Sequence, residues 1–239
     1  MNLVLLRDDD FPALDPTGDR ITLRGRRLQQ LRQVLNAQVG DTLKVGLLNG
    51  LMGEGSILTI NEELAELQVS FSQPPPAKLP LTLILAMPRP KMFRRILQHC
   101  ATLGVPDIIL LNSYRVEKSF WQTPFLQPAQ VEDNLLLGLE QARDTVMPRV
   151  RIEKRFKPFV EDDLPTIVAG SLGLVAHPGD YPACPRQVRQ NVTLAIGPEG
   201  GWIPYELEKL AEAGLQPVQM GDRILRVETA VTALIGRLF

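Results

Sequence analysis

Ile196-Gly197-Pro198-Glu199-Gly200-Gly201-Trp202 closes the apolar run 192–196 and opens onto the amphipathic run 204–213. A strand that ends in glycines and hands over to a helix is characteristic of an α/β sheet, whose ligands bind outside the carboxyl ends of its strands. The glycines let the backbone approach a ligand closely and offer it amide groups. The stretch has neither the Gly-x-Gly-x-x-Gly spacing nor the Lys-Ser/Thr pair of phosphate-binding loops, which argues against dinucleotide or nucleoside triphosphate binding. Taken alone it also reads as a plain strand-to-helix turn. A second loop of the same kind follows at Met220-Gly221-Asp222-Arg223-Ile224-Leu225-Arg226-Val227-Glu228-Thr229-Ala230. Its Arg, Glu and Thr residues suit either a site or simple capping of the next helix by Asp222 or Thr229.

Outward from these loops the pattern alternates. Strands are predicted at 81–86, 107–111, 150–153, 172–176, 192–196 and 217–220, with helices at 91–103, 132–145, 204–213 and 227–239. Such alternation specifies a mainly parallel sheet with helices on both faces. Gly104-Val105-Pro106 and Gly214 supply helix stops. Upstream, Pro74-Pro75-Pro76 and the following residues to 80 form a stiff connector that can join neither helix nor sheet. Before it the pattern is mostly short strands, at 3–6, 42–48, 55–60 and 66–71, with one helix at 26–35. Asn49-Gly50 marks a tight turn between two of these strands. The division is therefore 1–73, a small β-barrel; 74–80, the linker; and 81–239, the α/β domain.

The 239 residues carry a net charge of −1, so a nucleic-acid partner would have to meet locally gathered cations. The N-terminal apolar stretch is too short for a signal peptide or a membrane span. Cys100 and Cys184 make no disulfide framework, which suits reduced thiols in a cytoplasmic protein. His99 and His177 have no Cys or Asp at ligand spacing, so no metal is expected.

The two loops together resemble the late motifs of the 16S ribosomal RNA uridine N3-methyltransferase family, a branch of the trefoil-knotted SPOUT superfamily. Those motifs read much like Gly-Pro-Glu-Gly-Gly and Gly-x-Arg-Ile-Leu-Arg-x-Glu-Thr-Ala. Smaller matches are Val39-Gly40-Asp41, Leu103-Gly104-Val105 and Glu140-Gln141. The resemblance implies a C-terminal trefoil-knotted α/β methyltransferase domain, with the final helix threaded through a loop, and an N-terminal PUA-like RNA-binding barrel. It implies S-adenosyl-L-methionine as methyl donor, methylation of N3 of a uridine in 16S ribosomal RNA or the small subunit, and a homodimer. Leu174, His177, Ile196, Gly197, Glu199, Gly200, Gly201, Met220, Gly221, Ile224, Leu225, Arg226 and Thr229 are the implied donor-binding residues. Arg226 is the implied anion-stabilising residue, and Glu199 and Glu228 are the candidate proton acceptors, with loop bracing as the other role open to each.

RNA contact is expected from two basic clusters. Arg20, Arg24, Arg26, Arg27 and Arg32 fall in a stretch without acids, and Arg89, Lys91, Arg94 and Arg95 follow the linker. Phe120 and Trp121, beside Arg115 and Lys118, offer a stacking surface, or else core or dimer contacts. The chain departs from the family pattern at Gln30, Asn36, His99 and Thr102, and at Arg143-Asp144-Thr145, where Gly-Arg-Asn is usual. By the resemblance these are mostly places where the family meets RNA or braces the domain, which leaves two other readings: a non-catalytic ribosomal RNA-binding factor, or the same chemistry on transfer RNA.

Overall fold

The computed structural model describes residues 2–12 and 19–239; Met1, at the head of the N-terminal apolar run, lies outside them. The chain divides into two compact units, Met1–Ala77 with Leu136–Met147, and Lys78–Leu135 with Pro148–Phe239.

The first unit contains β1 (Val4–Leu6), β2 (Arg20–Leu23), α1 (Gly25–Gln33), β3 (Thr42–Leu47), β4 (Met52–Ile60) and β5 (Ala65–Gln73). They form one sheet in the order β1-β3-β4-β5-β2, with β1 parallel to β3 and the other pairs antiparallel. Alternation sets the inner face: Ala65, Leu67 and Val69 of β5 are buried while their neighbours are exposed, as a period of two requires. Leu28 and Leu31 of α1, three residues apart, close over the same core with Ile21, Leu23, Val45 and Ile57. The predicted turn is present: Asn49 has φ 59° and Gly50 N donates to Leu47 O at 2.8 Å. At Gly53 a Cβ would lie 1.7 Å from Ser70 O, so the register shift there admits only glycine.

Two of the arginines hold this unit together. Arg27 forks onto both oxygens of buried Asp10, which also accepts the Arg7 amide at 2.8 Å. Arg26 forks onto Glu140 at 2.9 and 3.0 Å. The segment 136–147 then ties down the β3–β4 turn. Asn49 N donates to Thr145 O at 2.8 Å, Thr145 Oγ1 to Gly50 O at 2.6 Å, and Met147 N to Asn49 Oδ1 at 2.9 Å. Arg143 adopts φ 56°, a left-handed turn off the helix that a glycine would make with less strain.

In the second unit six parallel strands run in the order β11-β9-β10-β6-β7-β8. In chain order the elements are β6 (Leu81–Ala86), α2 (Pro90–Thr102), β7 (Asp107–Leu111), α3 (Pro128–Ala142, whose residues from Leu136 on belong to the first unit), β8 (Arg149–Glu153), α4 (Phe156–Pro158), a π turn, α5 (Leu164–Val168), β9 (Leu172–Ala176), β10 (Val192–Ile196), α6 (Pro204–Glu212), β11 (Gln216–Val218) and α7 (Val227–Leu238). The α/β class and the parallel sheet are as the alternation predicts. The central strands are continuous apolar runs because both faces are covered; every residue of β10 is buried. Helix α2 buries Phe93, Ile96, Leu97, Cys100 and Ala101, one face at helical spacing, and packs against α7. Burial pushes the Cys100 thiol up to about 12. Among the described residues no helix is long and apolar enough to cross a membrane.

The predicted elements differ from the observed ones at several places, among them the start of β4 at Met52 and a short helical turn at Asp8–Asp10. Strand β2 has no counterpart in the prediction, because its arginine-rich surroundings hide the buried pair Ile21 and Leu23. The helix expected at 132–145 runs from Pro128 to Ala142. Short helical turns between 118 and 126 and between 156 and 168 fill stretches without a periodic signal.

Replacing Asp10 by Asn leaves the largely buried Arg27 guanidinium without its counter-charge. Unfolding in urea should show a loss of about 3 kcal/mol, and an unchanged midpoint would mean that the pair does not hold the unit.

Candidate functional site

The chain leaves β6 toward β7 and leaves β10 toward β11, on opposite sides of the sheet, while β6 and β10 are neighbours. Their carboxyl ends therefore diverge into a crevice, the usual ligand position in open α/β sheets. Three loops meet on the β10 side of it: 177–180 after β9, 197–203 after β10 and 219–226 after β11.

The loop after β10 is fixed from several directions. Gly201 has φ +73°, and its amide donates to Pro198 O at 2.8 Å, closing a turn. A Cβ on Gly197 would stand 3.2 Å from the indole of Trp202, a side chain only 2% exposed. Glu199 Oε1 accepts the backbone amide of Arg89 at 3.0 Å, at the start of α2. A carboxylate there satisfies an amide that the helix leaves unpaired and complements the helix dipole. Arg115 donates to Gly200 O, which links this loop to the one after β7. Glu206 anchors the start of α6: its carboxylate accepts from Ile203 N at 3.1 Å and Tyr114 N at 2.7 Å, and it is buried.

The other two loops lie across from it. His177 N donates to Val218 O at 3.0 Å, His177 Nδ1 lies 2.6 Å from Pro178 O, and the ring meets Tyr181 edge-on at 5.8 Å. Residues 182–184 run beside Gln219, with Gln219 N to Pro182 O at 3.0 Å and Cys184 N to Gln219 O at 2.8 Å. Burial pushes the Cys184 thiol up, with Arg237 opposing it. Arg226 is extended, with φ −66° and ψ 153°, and caps α7.

Between the loops lies a cavity of about 420 Å³. Of the residues assigned to the donor, His177, Ile196, Gly197, Glu199, Gly200, Gly201, Met220, Gly221, Ile224, Leu225 and Arg226 line it. Leu174 does not; it sits inside β9, two residues before the strand end, and belongs to the core. Thr229 is exposed on α7, and Glu228, in the first turn of that helix, also stays outside the lining. The lining further includes Ala176, Val218, Gln219, Arg223, Ala230 and Leu234. Ala230 and Leu234 share a face with Val227 at three- and seven-residue spacing, so helical periodicity contained that signal.

Residues 75–238 match the family of RNA methyltransferase domains. The chain belongs to this family. The methyltransferase is 28% identical over 230 residues to the ribosomal RNA small subunit methyltransferase E of Treponema pallidum (strain Nichols), covering 89% of this chain and 82% of that one. It is also 28% identical over 233 residues to the protein of the same name from Synechocystis sp. (strain ATCC 27184 / PCC 6803 / Kazusa), covering 91% and 72%. Its fold matches that of a crystal structure of a Neisseria gonorrhoeae ribosomal RNA small subunit methyltransferase E bound to S-adenosyl methionine, with TM-score 0.75, 22% identity and coverage of 98% and 95%.

The cavity's chemistry fits a methyl donor of the S-adenosylmethionine type. Ile196, Val218, Leu225 and Leu234 give apolar walls for a flat purine, and glycine backbone lines the rest. The second oxygen of Glu199 has no partner among the described residues, and it places negative charge at the rim, where a cationic group is favoured. Among the described residues no group of three or more His, Cys, Asp or Glu could hold a metal ion.

The basic clusters differ in what they are free to do. Arg26 and Arg27 are engaged by Glu140 and Asp10, Arg32 lies 3.5 Å from Glu62, and Arg24 reaches Glu63 O at 3.5 Å. Arg20 is exposed at the start of β2. Arg89, Lys91, Arg94 and Arg95 are exposed on the first turns of α2, where Arg94 lies over the Phe125 ring at 4.8 Å.

Substituting Glu206 by Gln leaves one of the two amides that its carboxylate accepts facing a donor. Thermal or urea unfolding should show a loss of about 2 kcal/mol, with weaker donor binding because two loops lose a common anchor. Unaltered stability and binding would show that Glu206 organises neither loop.

Proposed function

We propose that this methyltransferase transfers the methyl group of S-adenosyl-L-methionine to N3 of a uridine in 16S ribosomal RNA, acting as a homodimer in the cytoplasm. The observation that carries the reading is the single cavity into which eleven of the thirteen assigned donor residues converge, Arg226 and Glu199 among them. The names of the curated relatives support a small-subunit ribosomal RNA as the substrate. The same reading carries the trefoil-knotted path of the final helix, the PUA-like character of the first unit, and the division into an RNA-binding domain at 1–73, a linker at 74–80 and a catalytic domain at 81–239.

The donor supplies an electrophilic methyl group on a sulfonium. The recipient N3 is a weakly acidic imide and must lose its proton as the new N–C bond forms. Arg226, at the cavity and with no acid holding it among the described residues, is suited to bind the uracil carbonyls and stabilise the anion that develops on them. Between the two candidate carboxylates, Glu199 is favoured because it lines the cavity and has an oxygen left over after bonding the Arg89 amide. Glu228 is left with a role in stabilising the N-terminus of α7. This basic cluster begins at the residue whose amide Glu199 accepts, so Arg89, Lys91, Arg94 and Arg95 are the proposed phosphate contacts nearest the reaction. Arg20, Arg24 and Arg32 are the proposed contacts of the first unit; Arg26 and Arg27 contribute mainly to its fold.

Calorimetry should detect S-adenosylmethionine binding, and Arg226→Ala should retain it to within about tenfold while lowering methyl transfer by about 10²- to 10³-fold. The recipient is tested by mass spectrometry of 16S ribosomal RNA from a deletion strain. N3-methyluridine should vanish, return with the wild-type chain and fail to return with Arg226→Ala. Persistence of that nucleotide in the deletion strain would overturn the assignment.

A further inference from the structure

A second groove of about 560 Å³ opens at the carboxyl ends of β7 and β8, apart from the donor cavity. Its walls come from the loop 112–121, from Lys154, Phe156 and Lys157 after β8, and from the start of α6. Lys118, Lys154 and Lys157 give it positive charge. Lys118 and Lys154 make no ion pair with any described residue, and Lys157 has only a distant partner, Glu161, at 3.9 Å. The one acid in the lining, Glu206, already has both oxygens engaged by backbone amides. Four aromatic side chains, Tyr114, Trp121, Phe156 and Tyr205, line the groove with these lysines. Tyr114 is 79% exposed, Tyr205 is exposed, and Trp121 is fixed by its indole N–H donating to Asn112 Oδ1 at 2.8 Å. The groove also holds an unused hydrogen-bonding group: Ser113 is 3% exposed and its Oγ has no partner.

We propose that this groove binds a nucleotide of the single-stranded RNA substrate, flanking the one that is methylated. Tyr114 stacks on the base, Lys118 and Lys154 contact phosphates, and Ser113 Oγ bonds the base edge or the ribose. Aromatic faces interleaved with lysines are the sequence-tolerant way to hold an unpaired strand, since every base has a π-face and every linkage a charge. Arg115 connects the two sites: it departs from the groove's loop and donates to Gly200 O of the donor loop. A nucleotide seated in the groove thus lies beside the element that shapes the donor cavity. The inference rests on the RNA-methyltransferase reading.

The test uses the full-length protein and a fluorescein-labelled oligouridylate of about ten nucleotides, with affinity read by anisotropy across a salt series. Tyr114→Ala should weaken binding about tenfold, and Tyr114→Phe should restore it. The double variant Lys118→Ala/Lys154→Ala should lower the salt slope by about 1.4. Calorimetric affinity for S-adenosylmethionine should stay at the wild-type value in all three. Wild-type RNA binding with variants that match it in affinity and slope would overturn the groove alone. Absence of RNA binding by the wild-type protein would overturn the broader reading with it. If the variants instead change the sedimentation of the protein without changing RNA affinity, the surface is a contact between copies of the chain and the proposal fails.

Discussion

The parallel pairing of β6 with β10 is the constraint on which the site depends. Five residues of each strand face one another in register, Leu81–Leu85 against Val192–Ile196, so the two carboxyl ends arrive at the same height. Parallel strands must be joined by crossovers, and here the crossovers depart in opposite directions. The space that opens between them is bridged by one charge-assisted hydrogen bond, from the Arg89 amide to Glu199. That bond gives α2 its N-terminal partner and gives the glycine loop its orientation. The strand pair and this carboxylate thus join the position of the loop to the start of the basic helix, and the Gly201 turn, Trp202 and Arg115 complete the loop's fixing.

A second organising feature is the use of carboxylates as backbone acceptors. Glu199, Glu206 and Asp10 each accept main-chain amides, at Arg89, at Ile203 and Tyr114, and at Arg7. A buried amide without a partner is expensive, so such acceptors position loops more firmly than surface ion pairs do. Negative charge near the site thus has a structural part, and only the unbonded oxygen of Glu199 is presented to the cavity. Glu228, on the first turn of α7, lies outside it.

Much of this was legible in the sequence because periodicity and glycine placement carry it. The mostly apolar run 192–196, short and followed at once by glycines, reads as a strand covered on both faces, and Gly197, Gly200 and Gly201 mark a backbone that can come close to a ligand. The elements that were not legible lack such a signal. Strand β2 has two inward residues among arginines, and Arg26 and Arg27 read as a basic patch although their partners, Glu140 and Asp10, are distant or unremarkable in sequence. Leu174 and Thr229 sit beside loop residues in the chain, yet the geometry of a strand interior and of a helix surface turns them away from the cavity. Ser113 gave no signal at all, because a lone serine after a strand has no pattern to betray that its hydroxyl lacks a partner.

The turn between β3 and β4 is held by Thr145 and Met147, so the first unit closes on residues far downstream of its own last strand. This has a temporal meaning for a chain made from its N-terminus. When Ala77 leaves the ribosome, the chain still lacks the acceptor for the Asn49 amide and the donor for Gly50 O. Seventy more residues (147 minus 77) must be synthesised before the missing strap arrives, about 4 to 14 seconds at ordinary elongation rates. During that interval the first 77 residues lack these hydrogen bonds, and part of the second unit has been made before they can form.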